Sequence, residues 1–430
     1  MLSTGQRLFM VALGVATLLG ATAPATAASV VYDLQAKAGY ISTPDGGQVY
    51  TWSFGDATGF RYPGPLIEVS VGDDVTVNLT NNLPDPDGAG PLKADPVSIV
   101  FFGQDVPNQA PVYETVGERA TLRSLAPEAA PGGTVSYTFT ATKPGTYYYH
   151  SGTYLTKHLD MGLIGGIIVR PAAAGQAYDT PDTAYDREHF LLLSAMDPIQ
   201  HELVERGQPY QATSYLPAYW FVNGRGYPDT LLPDNVPHLV SQPVGSMISM
   251  FPGERVLFRM ATVDRDLHPF HHHGNHAQVI AQDGRLLQSD PSAGVADLAI
   301  GRFTQSVSAG QTVDAIYTWE GKDLGWDVYG HAPADALETA ESTLGHGEAL
   351  PVVVGPPSND PNADLTFGEL YSGSPFLGQT GELGAKHVSL NEGMGEHYMM
   401  FHSHHEQEIQ NFDEGPGGMM THIMIMPPTP

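Results

Sequence analysis

The sequence of 430 residues contains no cysteine. It can therefore form no disulfide bond, no metal site anchored by a thiolate, and no lipid anchor attached through cysteine. If the chain works in an oxidising compartment, its stability must come from a buried core and from any metal that it binds.

Basic residues are also scarce, because 19 Lys and Arg stand against 47 Asp and Glu and give a formal net charge of -28. Phosphate backbones and anionic lipid surfaces would repel such a chain. We therefore expect no nucleic-acid partner, and metal ions are better candidates.

Long apolar runs are missing except for one near the amino terminus. Leu8 to Leu19 follow the positive charge of Arg7 and precede the small residues Ala25 to Ala28. The run is too short for an ordinary membrane span and is typical of a secretory leader. We expect a signal peptide over residues 1–28 and an exported protein, periplasmic, cell-surface or secreted, without membrane insertion. A retained amino-terminal anchor is the alternative.

The remaining composition is typical of an all-β sandwich. The 48 glycines and 35 prolines separate short runs rich in Val, Ile, Tyr, Phe and Thr. In residues 66–83, apolar side chains alternate on either side of a Gly-Asp-Asp turn, as in two half-buried strands. Further strands are predicted within 134–150, 163–169, 190–195, 255–263, 313–319 and 422–426.

A change of composition at residues 171–186 suggests a domain boundary. The sequence predicts one domain over 29–172 and another over 173–430, the second with an irregular insertion at about 325–396, where the strand pattern gives way to Gly, Pro and acidic residues. A third small domain in that region is the alternative.

Half of the 18 histidines fall in two short windows. These are His268, His271, His272, His273 and His276 in the first window, and His397, His402, His404 and His405 in the second. In a strand, His271 and His273 share one face, and so do His402 and His404. Two such pairs on neighbouring strands would offer four imidazoles to copper or zinc. The alternative is that these are ordinary core or surface histidines. For His272, His276 and His405 we expect solvent exposure.

Two segments resemble the copper-binding motifs of the multicopper oxidases. Residues 268–274, His-Pro-Phe-His-His-His-Gly, resemble the His-Pro-x-His-Leu-His-Gly motif, and residues 402–404, His-Ser-His, resemble the His-Cys-His motif with serine in place of cysteine. Weaker similarities lie at 63–65, 72–73, 144–151 and 252–255. The resemblance implies an all-β fold of tandem cupredoxin-like Greek-key β-sandwiches.

The same resemblance implies roles for single residues. His268 lies at a blue-copper position, and His150, His271, His273, His402 and His404 lie at positions of the trinuclear copper cluster. The other three cluster positions hold Val100, Phe102 and Gly152, none of which can coordinate a metal through its side chain.

The segment from His150 to Leu163 is also similar to the copper nitrite reductases. There Ser151 stands at the cysteine position, Leu163 at the methionine position, and His158 at a histidine position. Under either resemblance the thiolate that anchors blue copper is replaced by a hydroxyl, which is a poor copper ligand.

Acidic residues near these motifs allow two interpretations. Glu408 lies where the multicopper oxidases place another blue-copper histidine, and Glu406, Glu408 and Asp413 could support imidazoles or form a solvated face. We favour the solvated face. Asp160 and His158 could complete a site with His150 or cap a loop. No Ser-His-Asp nucleophile is expected.

Three functions are consistent with these candidate ligands and vacant ligand positions. The first is an exported protein related to multicopper oxidases that binds one or two copper ions in an incomplete cluster and retains some oxidoreductase activity. The second is a non-enzymatic copper- or zinc-binding protein. The third is a structural or surface-assembly protein that uses the fold without the chemistry. Whether the chain is an enzyme stays open at this point. A homotrimer or a cell-surface assembly is plausible by resemblance.

Overall fold

A computed structural model of the chain describes residues 27–85, 94–251, 253–319 and 397–426. The predicted leader lies outside these residues except for its last two, and the insertion predicted at about 325–396 lies outside them entirely. The domain division stays a prediction.

Residues 29–170 form two four-stranded sheets and a small hairpin. Their elements are β1 Ser29–Ser42, β2 Gln48–Gly55, β3 Ile67–Ser70, β4 Asp74–Asn81, β5 Val100–Phe101, β6 Val112–Val116, β7 Arg119–Ser124, β8 Thr134–Thr140, β9 Gly145–His150, α1 Leu155–Asp160 and β10 Ile164–Arg170.

The two sheets pack face to face around one core. One has the strand order β2-β1-β4-β8 and the other β3-β10-β9-β5, while β6 and β7 form the hairpin. Strand β4 shows why these residues make a half-buried sheet, since Val75, Val77 and Leu79 are buried and the side chains between them are more exposed. Their apolar faces meet those of Phe101 and Tyr149 in the same core.

Residues 181–425 contribute the remaining elements. They are η1 Pro181–Thr183, β11 Arg187–Met196, α2 Pro198–Glu205, η2 Ala212–Ser214, β12 Tyr219–Val222, η3 Asp229–Leu231, β13 Ile248–Met250, β14 Arg255–Thr262, β15 His268–His272, β16 Ala277–Gln282, β17 Arg285–Leu286, β18 Ile300–Arg302, β19 Thr304–Val307, β20 Gln311–Thr318, β21 His397–Ser403, η4 Glu406–Ile409 and β22 Met420–Ile425, where η denotes a single 3-10 turn.

A seven-stranded and a five-stranded sheet enclose the second core. The larger sheet follows the order β12-β11-β14-β20-β16-β17, with β18 paired to β16. The smaller sheet follows the order β13-β22-β21-β15-β19. Phe258, Phe270 and Phe401 are fully buried between the two sheets. The smaller sheet positions both histidine pairs, because β15 and β21 are its neighbouring strands.

The two sandwiches pack directly against each other. Tyr62 donates a hydrogen bond from its hydroxyl to Ser194 Oγ at 2.8 Å, and Tyr148 donates one to the carbonyl of Gly310 at 2.8 Å. Phe190 leaves room for nothing larger than glycine at position 166, where an added Cβ would lie 2.2 Å from its ring. This tight contact joins β10 of the first sandwich to β11 of the second.

The predicted all-β architecture of tandem cupredoxin-like sandwiches is confirmed, and every strand-rich segment singled out in the sequence contains a strand. Within the described ranges, no helix is both long and apolar enough to cross a membrane.

Candidate metal centre

Strands β15 and β21 bring the two His-x-His pairs side by side. They run antiparallel, with His271 opposite His402. The pairing continues just past the strand ends, where His273 N donates to Met400 O at 3.0 Å and His404 N donates to Pro269 O at 2.8 Å. Since alternate side chains of a strand share one face, all four imidazoles emerge on the same side of the sheet.

The four rings form a compact group, which we call the histidine cluster: His271, His273, His402 and His404. The centroids of His271 and His404 are 4.7 Å apart, and those of His271 and His273 are 5.3 Å apart. His402 completes the group at 5.4 Å from His273, 5.4 Å from His404 and 5.6 Å from His271. Every ring therefore has at least two others within 6 Å.

Hydrogen bonds orient two of these rings. His402 Nδ1 lies 2.8 Å from the carbonyl of Ser403, and His271 Nδ1 lies 2.8 Å from Thr304 Oγ1. A carbonyl only accepts, so His402 carries its proton on Nδ1 and has a lone pair on Nε2. That Nε2 is 3.4 Å from Nε2 of His273. Two nitrogens on a tetrahedral metal with bonds of about 2.0–2.1 Å are separated by roughly 3.3–3.4 Å.

The cluster favours neutral imidazoles. Burial, together with repulsion between neighbouring rings, lowers the pKa of His271 to about 3 and that of His273 to about 4. Burial also lowers the pKa of His402. These rings are therefore unprotonated at neutral pH, and the neutral form is the one that coordinates metal.

The rings do not yet converge on one point. Within the described part of the chain, no three histidine or carboxylate side chains are arranged to hold a metal ion. A bound ion would have to draw the rings inward by rotation of the side chains. His404 can turn most readily because its side chain is 51% exposed and its ion-pair partner, Glu406 at 3.4 Å, is exposed as well.

His268 lies in a different environment, between two buried carboxylates. Its Nε2 is 3.0 and 3.1 Å from the carboxylate oxygens of Asp264, and its Nδ1 is 3.0 Å from Glu408 Oε2. Burial alone would lower the pKa of His268, but attraction and hydrogen bonds from both carboxylates outweigh burial and raise the pKa to about 10. His268 is therefore an imidazolium with both ring nitrogens donating.

Ser403 belongs to the same buried network. Its hydroxyl donates to Glu408 Oε2 at 2.6 Å, and His405 Nδ1 lies 3.1 Å from the other oxygen of Glu408. We call Asp264, His268, Ser403 and Glu408 the carboxylate network. His268 has no lone pair left for a blue-copper ion, and the Ser403 hydroxyl, which donates to Glu408 and accepts from the His405 amide at 3.1 Å, is a poor copper ligand. The side chains at this place do not fit that cofactor.

Comparison with known proteins shows similarity to the multicopper oxidases over parts of the chain. The multicopper oxidase family model matches residues 125–174. An L-ascorbate oxidase of Brassica rapa subsp. pekinensis is 26% identical over 216 residues, which cover 49% of this chain and 32% of that protein. The multicopper oxidase MmcO of Mycobacterium tuberculosis is 30% identical over 125 residues, 28% of this chain and 20% of that protein. These segments of the chain are therefore similar to multicopper oxidases.

A solved structure agrees with the fold. The blue copper oxidase of Nitrosomonas europaea superimposes with a TM-score of 0.57 and 19% identity, covering 92% of this chain and 85% of that one. At this identity the likeness concerns the fold alone. The chain spans a third or less of the length of the two curated relatives, so the activity of a whole multicopper oxidase does not transfer with the match.

His150, the sixth histidine predicted as a metal ligand, lies at the end of β9 in the first sandwich. Its ring is nearly parallel to that of Tyr148 and lies 5.0 Å from that of Phe102. Nδ1 is 2.7 Å from the carbonyl of Ser151, and burial lowers the pKa of His150 to about 4. Among the described residues, its ring neighbours are thus aromatic side chains rather than members of the histidine cluster.

Ser151, the other serine predicted to stand at a cysteine position, also belongs to a buried chain of hydrogen bonds. Ser151 Oγ is 2.7 Å from His158 Nδ1, and His158 Nε2 is 3.2 Å from Asp95 Oδ2. The residue types are those of a catalytic triad, which we did not expect. Ser151 and His158 are fully buried, however, so no substrate reaches the hydroxyl in this conformation.

Several expectations for single residues need correction. His272 was expected at the surface but is fully buried against Phe258 and Phe401, with Nε2 donating to the carbonyl of Asn275 at 2.8 Å. His276 and His405 are exposed as expected. The favoured solvated face is wrong for Glu408, which is 1% exposed, although Glu406 does face solvent.

Asp160 was considered either as part of a site with His150 and His158 or as a loop cap. It accepts hydrogen bonds from the hydroxyl of Tyr210 and the guanidinium of Arg265. Both partners come from the second sandwich, so Asp160 forms part of the contact between the two sandwiches.

Three residues that hydrogen-bond to the predicted histidines were not identified from the sequence. Thr304 orients His271, Asp264 completes the carboxylate network, and Asp95 ends the buried chain in the first sandwich. None lies in a histidine motif. Asp264 alone carried a signal, because it precedes His268 by four residues.

Proposed function

We propose that this chain is an exported copper-binding protein on the multicopper oxidase fold, and that the histidine cluster holds one copper ion. The observation that carries this proposal is the gathering of four rings, two of which direct Nε2 atoms toward each other at 3.4 Å. Neutral imidazole is a good ligand for copper, and the low pKa values of His271 and His273 keep it available.

His268 and His150 do not bind the copper ion of the histidine cluster. His268 donates from both nitrogens to carboxylates, and His150 packs among aromatic rings. Val100 and Phe102, at family ligand positions, supply only apolar surface near His150. The proposed centre is therefore an incomplete cluster without a blue-copper partner.

Such a site limits the chemistry. When bound there, copper would supply one-electron redox chemistry at a position open to solvent beside His404. The chain's own residues would hold the ion through neutral nitrogens, and Thr304 and the Ser403 carbonyl would fix the rings of His271 and His402. A small phenol or a reduced metal ion is the substrate class that the family suggests.

A non-enzymatic carrier of copper or zinc is the second candidate. It is favoured by the all-nitrogen donor set, which suits zinc as well as copper and contains no oxidisable thiolate. Oxygen consumption by the copper-loaded protein with a phenol or ferrous iron would separate the two candidates. Turnover supports the oxidoreductase, and its absence with copper bound supports the carrier. The structural or assembly role predicts neither turnover nor bound metal.

The site assignment is tested by a pair of double variants. His271→Ala with His404→Ala removes one ring from each strand, and we expect copper binding to fall from about one ion per chain to none while the fold remains. His276→Ala with His405→Ala removes two exposed histidines from the same segments and serves as the matched control. Copper content after dialysis, measured by mass spectrometry, gives the readout. If the two double variants retained equal copper, the assignment would be wrong.

A further inference from the structure

A cavity of about 480 Å³ lies where the two sandwiches meet. Its walls come from β3 and β10 of the first sandwich, β11 of the second, and the segment from Leu231 to Met247. No residue of the histidine cluster lines it. The volume falls within the range of about 300–1,000 Å³ that is typical of small-molecule sites.

Most of the wall is apolar. The apolar side chains come from the residue before β3, from β10, from β11 and from the segment 231–247, namely Leu66, Ile168, Phe190, Leu231, Leu232 and Val244. Apolar surface that is sheltered but not filled favours an occupant with an apolar body.

Arg61 gives the cavity a cation with one unpaired donor nitrogen. Its Nε is buried and has no hydrogen-bond partner among the described residues. The guanidinium has an ion pair with Asp56, but the closest approach is 3.7 Å, which is too long for a hydrogen bond. A buried donor that lacks an acceptor is costly, so an acceptor supplied by a ligand would be favourable.

The other charges on the wall already have partners. Arg170 pairs with Glu68 at 2.8 Å and with Glu188, and Glu188 also accepts from Arg259 Nε at 2.9 Å. Asp234 accepts from the amide of Gly245 at 2.7 Å. Arg61 is therefore the charged group of this cavity that is best placed to bind a ligand.

His189 adds a neutral polar group to the same wall. Burial lowers the pKa of His189 to about 4, with a further contribution from Arg187. At neutral pH its imidazole has one donor and one acceptor nitrogen, and it repels neither an anion nor a cation.

We propose that this cavity is a binding site for a small carboxylate with an apolar body. The carboxylate would accept hydrogen bonds from the guanidinium of Arg61, whose planar donor set matches its geometry. The apolar body would lie against Leu66, Ile168 and Phe190. This site is independent of the histidine cluster and requires no metal.

The test is calorimetric titration of the whole protein with cinnamate, in a buffer containing a metal chelator. We expect binding of cinnamate and at least about tenfold weaker binding of cinnamyl alcohol, which has the same apolar body without the charge. Arg61→Gln should weaken cinnamate by a similar factor and leave the alcohol unchanged. Arg119→Gln, an exposed arginine on the β6–β7 hairpin, makes the same charge change and should leave both ligands within twofold of wild type.

A second variant tests the apolar wall without touching the charge. Val244→Phe fills space from the segment that covers the cavity and should weaken both ligands together. Failure of wild-type protein to bind cinnamate at millimolar concentration would overturn the proposal. Equal binding of acid and alcohol would overturn the role of the carboxylate, and equal effects of the Arg61 and Arg119 substitutions would overturn the role of Arg61. Circular dichroism of each variant verifies that the fold is retained.

Discussion

Replacement of Glu408 by alanine should destabilise the second sandwich strongly. Glu408 is 1% exposed and accepts from three side chains, with His268 at 3.0 Å, Ser403 at 2.6 Å and His405 at 3.1 Å. Its removal leaves a buried imidazolium with one carboxylate in place of two and a buried hydroxyl that loses its acceptor. Breaking a buried ion pair in this way costs about 3–5 kcal/mol in the free energy of unfolding.

The assay is urea unfolding of metal-free protein near pH 7, followed by tryptophan fluorescence. Glu408→Gln keeps an oxygen acceptor and should cost less, about 1–3 kcal/mol. Glu406→Ala removes an exposed carboxylate two residues away and should change the free energy of unfolding by no more than about 0.5 kcal/mol. If Glu408→Ala were as mild as Glu406→Ala, the carboxylate network would not stabilise the fold in the way described.

Three further outcomes are expected. Because the pKa of His268 is raised to about 10, the stabilisation by protonated His268 is fully present below about pH 6.5 and is lost as the pH rises through about 10. The free energy of unfolding at pH 7 and pH 10 checks this, and His268→Gln should reduce the difference between the two values. Copper binding should persist in weakly acidic buffer and decline only toward about pH 4, because the pKa values of His271 and His273 are about 3 and 4. The copper content of the protein is measured as a function of pH, and loss of copper near pH 6.5 would contradict the expectation. Ser403→Cys should give no intense blue absorption with copper, because Asp264 and Glu408 still hold His268; a blue variant would refute that explanation.

The sequence was sufficient to predict the strands and the shared face within each His-x-His pair. Alternation of apolar side chains in β4 and the spacing of two residues between His271 and His273 depend on local geometry alone. That β15 and β21 are antiparallel neighbours, with His271 opposite His402, is known only from the structure.

The carboxylate network was beyond prediction for a different reason. His268 and Glu408 are 140 residues apart, and the abundance of acidic residues made Glu408 resemble part of a solvated face. The prediction for His272 was also wrong. Solvent exposure was expected for His272, but the face opposite the cluster is covered by Phe258 and Phe401, which come from other strands.

The most direct measurement is elemental analysis of the protein isolated from its native source without added metal, combined with its visible absorption spectrum. We predict about one copper ion per chain, held without intense blue absorption. A blue protein with the full complement of copper of a multicopper oxidase, or a protein that contains no metal, would contradict the proposed four-histidine copper centre.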